Sequence, residues 1–106
     1  MRILAVDDDP VILDLLTDVF CLQDGYELES QSTAESGIAA LTEAKYPFDC
    51  ILLDIMLPGI SGVEMCQKLR QTKAYRSTPV LMITASQQVD LMREAFVAGA
   101  TDFIAK

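Results

Sequence analysis

Short apolar runs alternate with longer helical patterns along this whole chain, and that alternation restricts the fold more than any single residue does. Arg2 to Val6 reads as a strand and is ended by Asp7-Asp8-Asp9-Pro10. Val11, Ile12, Leu15, Leu16, Val19 and Phe20 then recur at helical spacing. Asp9 followed by Pro10 predicts an N-cap with proline at the first helical position. A turn at Asp24-Gly25 leads to a weaker strand, Tyr26 to Gln31. A second helix follows and ends near Lys45, with its start open between Ser32 and Ser36. After Pro47 the third strand is Cys50 to Asp54, Leu57-Pro58-Gly59 marks a loop, and Val63 to Leu69 is a third helix. The polar segment Gln71 to Thr78 connects to Pro79 and a fourth strand, Val80 to Thr84. A fourth helix from about Gln87 to Ala98 is stopped by Gly99, and Asp102 to Ala105 is a fifth strand before Lys106.

The pattern is βαβαβαβαβ. Strands 1, 3 and 4 are apolar at successive positions, as expected when helices cover both faces of a parallel sheet. Short, right-handed connections leave chiefly doubly wound α/β topologies. At 106 residues, with 51% hydrophobic side chains, one domain spanning residues 1–106 has ample material for a core. The most apolar stretch, Cys50 to Leu57, is broken by Asp54, so no run approaches the roughly 18 apolar residues of a membrane helix. Met1-Arg2 leads straight into a strand rather than a secretory leader, and a cytoplasmic location is the expectation. Cys21, Cys50 and Cys66 lack metal-ligand spacing and are expected to be reduced core thiols. With 16 acidic residues against 8 basic, the net charge of −8 argues against direct binding of nucleic acid.

In an open α/β sheet, ligands bind beyond the carboxyl ends of the strands. Asp7, Asp8 and Asp9 follow strand 1, Asp54 ends strand 3, Thr84 ends strand 4, and Lys106 follows strand 5. Most have a bland reading when taken alone. Asp9 is better explained as a helix cap than as a ligand. Thr84 is a common strand former and Lys106 a terminal residue. Gly59 and Gly62 read as turn formers. Asp54 is different, because an unpaired carboxylate is costly inside an apolar run. Carboxylates gathered in one crevice repel each other and suit Mg²⁺, a hard ion that takes one or two carboxylates, water and phosphate oxygens. A carboxylate oxygen of Asp54 could then attack phosphorus, with Lys106 and Thr84 meeting charge on the phosphoryl oxygens.

Four segments carry a resemblance: Val6-Asp7-Asp8, Leu53 to Gly59, Ile83-Thr84-Ala85 and Phe103 to Lys106. In order and spacing they resemble the response-regulator receiver family of two-component signalling. The resemblance implies a flavodoxin-like five-stranded parallel sheet of order 2-1-3-4-5. It also implies phosphorylation at Asp54, with Asp8, Asp54 and the backbone carbonyl of Met56 as Mg²⁺ ligands and Asp7 acting through water. Thr84 and Lys106 would contact the phosphoryl group, and Phe103 would be the aromatic whose rotamer follows Thr84. The implied donor is a histidine kinase or histidine phosphotransfer protein, and the domain would catalyse only its own phosphorylation and dephosphorylation. The family's dephosphorylation rate depends partly on the positions held here by Met56 and Ser86.

Two other readings exist. Asp7-x-Asp9-Pro10-Val11 resembles the motif of haloacid-dehalogenase-like phosphatases, with Asp7 as nucleophile and Asp9 as acid–base residue, but that leaves Asp54 without a role. A pseudo-receiver acting only as a binding module would not need the full acidic set. One departure from the receiver pattern stands out: the family continues past this lysine with a proline and a fifth helix. Without it, apolar positions on strands 1, 3, 4 and 5 are expected to lie uncovered. A longer parent protein, a trimmed chain or a homodimer would each account for that.

Overall fold

The computed structural model describes residues 1–85 and 89–105. Its elements follow the expected alternation: β1 (Arg2–Val6), α1 (Pro10–Cys21), β2 (Glu27–Gln31), α2 (Ala34–Glu43) and β3 (Cys50–Asp54) come first. They are followed by α3 (Gly62–Arg70), β4 (Val80–Thr84), α4 (Val89–Ala98) and β5 (Asp102–Ala105). The five strands are parallel in the order β2-β1-β3-β4-β5. That is the doubly wound order, with its switch point between β1 and β3. The four apolar strands have the bounds expected from sequence. The proposed start of α4 at Gln87 lies outside the described residues.

The helix starts follow local chemistry. Asp9 caps α1 by accepting from the Val11 N–H at 2.9 Å, with Pro10 in the first turn. The ambiguous start of α2 resolves to a capping box. The Thr33 hydroxyl accepts from the Ser36 N–H at 3.0 Å, and Ser36 Oγ accepts from the Thr33 N–H at 3.3 Å. Ser61 caps α3 by accepting from the Glu64 N–H at 3.2 Å.

The larger core lies between the sheet and α2, α3 and α4. Leu4, Val6, Ile51, Leu53, Val80 and Met82 project from the strands against Met65, Cys66, Leu69 and Ala95. Full burial of each such aliphatic side chain is worth about 1.5–3 kcal/mol. On the other face a smaller core of Ile3, Ala5, Leu52 and Ile83 is covered by Leu13, Leu16 and Phe20 of α1. The expectation of uncovered strands therefore needs correcting at Ile3, Ala5, Leu52 and Ile83, which are buried under a cover that includes α1, while Cys50 and Leu81 stay half-buried. Apolar side chains that do stay exposed include Ile104 on β5 and Val11, Leu15 and Val19 on α1.

The cysteine expectation also changes. Cys66 is buried and Cys50 half-buried, but Cys21 is exposed at the end of α1. Burial pushes the Cys66 thiol above its ordinary 9.0, with Arg70 opposing the shift, and burial likewise raises Cys50. The folded state thus keeps these thiols protonated where the unfolded chain ionises them. Their contribution to stability is complete below pH 9.0 and is lost as the pH rises beyond it. Under native conditions an alkylating reagent is expected to modify Cys21 first and Cys66 only on unfolding, which peptide mass mapping reads directly.

Candidate functional site

Strand register brings the acidic residues together. Val6 pairs with Leu53 and Asp54 with Ile83, so Asp7 and Asp54 fall level at one sheet edge, with Thr84 one residue further along β4. Thr84 in turn pairs with Ala105. Asp7, Asp54 and Thr84 are all buried, at 0%, 3% and 7% exposure, in a chain whose other acids are mostly at the surface. Asp8 is exposed at the mouth.

Asp7, Asp8 and Asp54 each offer a carboxylate oxygen within 4.8 Å of the others. Ligands on opposite sides of an octahedral Mg²⁺ lie about 4.2 Å apart, twice the metal–oxygen distance. A three-carboxylate oxygen set of this size therefore fits such an ion, with room for one ligand to act through water. Asp9, which the phosphatase reading needs as an acid–base residue, lies outside this cluster and is occupied in capping α1.

Backbone donors hold the carboxylates in place. Asp7 Oδ1 accepts from the Asp9 N–H at 2.9 Å, and Asp54 Oδ1 accepts from the Met56 N–H at 3.0 Å. The second bond sets the backbone of Met56 beside Asp54 while its side chain points into solvent, 56% exposed. Asp7 is tied further by its N–H to the Gln31 carbonyl at 3.1 Å, and Ile55 by its N–H to the Ile83 carbonyl at 3.1 Å. Phe103 is half-buried against the larger core, its ring meeting Phe96 edge-on at 4.8 Å. Lys106 and Ser86 lie outside the described residues.

Gly62 has a role its sequence context did not reveal. Gly59, at φ 74°, is the turn former, whereas Gly62 is the first residue of α3. A Cβ at Gly62 would collide with the Asp54 carbonyl oxygen and come within 2.9 Å of the Ile55 Cα. Only glycine lets α3 start this close to the end of β3. Gly62→Ala is expected to displace the Asp54 backbone and to cost about 1–3 kcal/mol, the usual scale for overpacking. Urea unfolding measures the stability loss, and amide shifts at Asp54 and Met56 report the displacement.

Comparison with known proteins agrees with this geometry. The family model described as the response regulator receiver domain matches residues 3–106. The chain is 37% identical over 105 residues to the transcriptional regulatory protein ResD of Bacillus subtilis (strain 168), covering 99% of this chain and 41% of ResD. It is 34% identical to the signal transduction histidine-protein kinase BarA of Escherichia coli (strain K12), covering 100% of this chain and 11% of BarA. The chain thus spans less than half the length of either relative. Among solved structures it is similar to the chemotaxis protein CheY4 of Vibrio cholerae. The TM-score there is 0.89 at 30% identity, over 99% of this chain and 85% of that one.

Proposed function

This chain belongs to the response regulator receiver domain family, and from that premise we propose that residues 1–106 form one receiver domain whose Asp54 accepts a phosphoryl group. The single observation that carries the proposal is the convergence of Asp7, Asp8 and Asp54 within 4.8 Å at the carboxyl edge of the sheet. Asp54 is buried, as Asp7 is, but it ends the central strand β3, and it is the proposed nucleophile. Its carboxylate oxygen attacks phosphorus in line, the new O–P bond forms, and the N–P bond of a phosphohistidine breaks. The electron pair then stays on the departing imidazole nitrogen. The donor is a histidine kinase or a histidine phosphotransfer protein, and the reactions the domain would catalyse are its own phosphorylation and dephosphorylation.

Asp8, Asp54 and the Met56 carbonyl would hold Mg²⁺ directly, with Asp7 through water; the ion would neutralise charge on the transferring oxygens. Asp7 is buried and fixed by the Asp9 N–H, which suits an orienting role better than a nucleophilic one. In this reading Thr84 would donate its hydroxyl proton to a phosphoryl oxygen, and Lys106 would supply a point charge. Phe103 follows Thr84 as the switching aromatic.

Acetyl phosphate with Mg²⁺ supplies the test. Intact mass is expected to rise by one phosphoryl group in the wild type, and not with a chelator or in Asp54→Asn. An unmodified wild type under conditions that saturate it with Mg²⁺ would sink the proposal.

A further inference from the structure

Between α3 and α4 the outer surface carries a groove that leads away from the phosphoryl site, sharing Asp8 and Met56 with it at one end. Its larger part, about 580 Å³, runs from Asp8 across the β3–α3 loop. A second cleft continues it toward Arg93 and Val97, sharing Val63, Gln67 and Glu94. The lining is apolar at Ile55, Leu57, Val63 and Leu91, whereas Asp8, Glu64 and Glu94 set carboxylates along it. Arg2–Glu27 is the only ion pair among the described residues, so neither Glu64 nor Glu94 has a basic partner there. Met56 and Val97 flank the groove at 56% and 83% exposure.

We propose that this groove docks a segment of a partner protein that carries apolar anchors flanked by arginine or lysine. The apolar lining suits helix-in-groove recognition, in which side chains three and four residues apart fill successive pockets. The unpaired carboxylates select the sign of the charge beside those anchors and favour fast, salt-sensitive association. A second copy of this chain is a poor occupant, because each copy carries a net charge of −8 and the two repel. The groove is small for a permanent interface, so the contact is transient. Docking here does not depend on Asp54 accepting a phosphoryl group.

The probe is a short synthetic helix with leucine at every third or fourth position and arginine between, alongside a counterpart with glutamate for arginine. Titration into the ¹⁵N-labelled chain is expected to shift the amides of Ile55, Val63 and Leu91, with only the arginine peptide saturating. In the Glu64→Lys, Glu94→Lys double variant Kd should rise about tenfold or more, as expected when two exposed charge pairs become repulsive. The double glutamine variant should give an intermediate loss, which guards against a folding defect in the first. Equal binding of the glutamate peptide would overturn the proposal. So would shifts confined to Val11, Leu15 and Val19 on α1, unchanged affinity in the double lysine variant, or no saturable binding.

Discussion

Mg²⁺ at a hundredfold excess over its Kd is expected to raise the unfolding free energy of the wild-type chain by about 2.7 kcal/mol, since it binds only the folded cluster. For a domain of this size that is a rise in Tm of roughly 10 °C or more. The effect follows from the geometry: Asp7 and Asp8 come from the end of β1 and Asp54 from the end of β3. The oxygens meet only when the β1–β3 register forms, so the unfolded chain has no comparable site. Asp8→Asn and Asp54→Asn should each lose most of the Mg²⁺-induced shift. Asp9→Asn should keep it, because Asp9 caps α1 through its Oδ1 and asparagine caps equally well. Thermal unfolding with and without Mg²⁺ separates these outcomes. A wild-type Tm indifferent to Mg²⁺, or an Asp9 variant that loses the shift while the Asp54 variant keeps it, would remove the metal from this account.

Arg70→Ala is expected to cost about 2–4 kcal/mol, more than any other polar replacement away from the site. The Arg70 guanidinium ties together three backbone carbonyls from two connections, α3–β4 and α4–β5. Nε and Nη2 donate to the Gly99 carbonyl at 2.9 and 2.8 Å, and Nη1 donates to the Tyr75 and Thr78 carbonyls at 2.8 and 2.6 Å. Hydrogen bonds from a charged donor are worth about 1.5–3 kcal/mol each, but bonds sharing one side chain are not additive. Lysine cannot replace the planar fork, so Arg70→Lys should recover less than half of the loss. The fit at Gly99 is equally specific. It sits at φ 110°, and a Cβ there would stand 2.7 Å from the Arg70 Cγ. Gly99→Ala therefore meets both backbone strain and the Arg70 side chain. Urea midpoints at constant slope would measure all three variants. An Arg70→Ala midpoint within error of wild type would show that water replaces the clamp.

Much of this fold is written locally. The bounds of β1, β3, β4 and β5 follow from apolar runs closed by Asp7, by Asp54, by Ala85 after Thr84, and by Gly99 before Asp102. Asp9-Pro10 announces α1 for the same reason that it caps it. The start of α2 was ambiguous because Ser32, Thr33 and Ser36 are all competent caps; the reciprocal bonds of Thr33 and Ser36 decide it. The acidic site was legible because the strand ends of a doubly wound sheet converge, so residues far apart in sequence could be gathered from topology alone.

What escaped depends on tertiary distance. Gly62 looks like any turn glycine until α3 is seen to start against the Asp54 carbonyl. Arg70 attracts no notice in sequence, since Gly99 lies 29 residues away. Cys21 sits among apolar neighbours along the chain, yet α1 turns it away from the sheet. In the same way, the burial of Ile3, Ala5, Leu52 and Ile83 depends on how Leu13, Leu16 and Phe20 lie over the sheet, which periodicity alone does not quantify.

Phosphoryl transfer to this chain ends on one carboxylate oxygen of Asp54 in the proposed reaction. An acyl phosphate on aspartate is reduced by borohydride to homoserine, which marks the modified position permanently. After reaction with acetyl phosphate and Mg²⁺, reduction and peptide mass mapping should find homoserine at position 54 and aspartate unchanged at positions 7, 8 and 9. Homoserine at position 7 would contradict the assignment and point instead to the phosphatase-like use of Asp7.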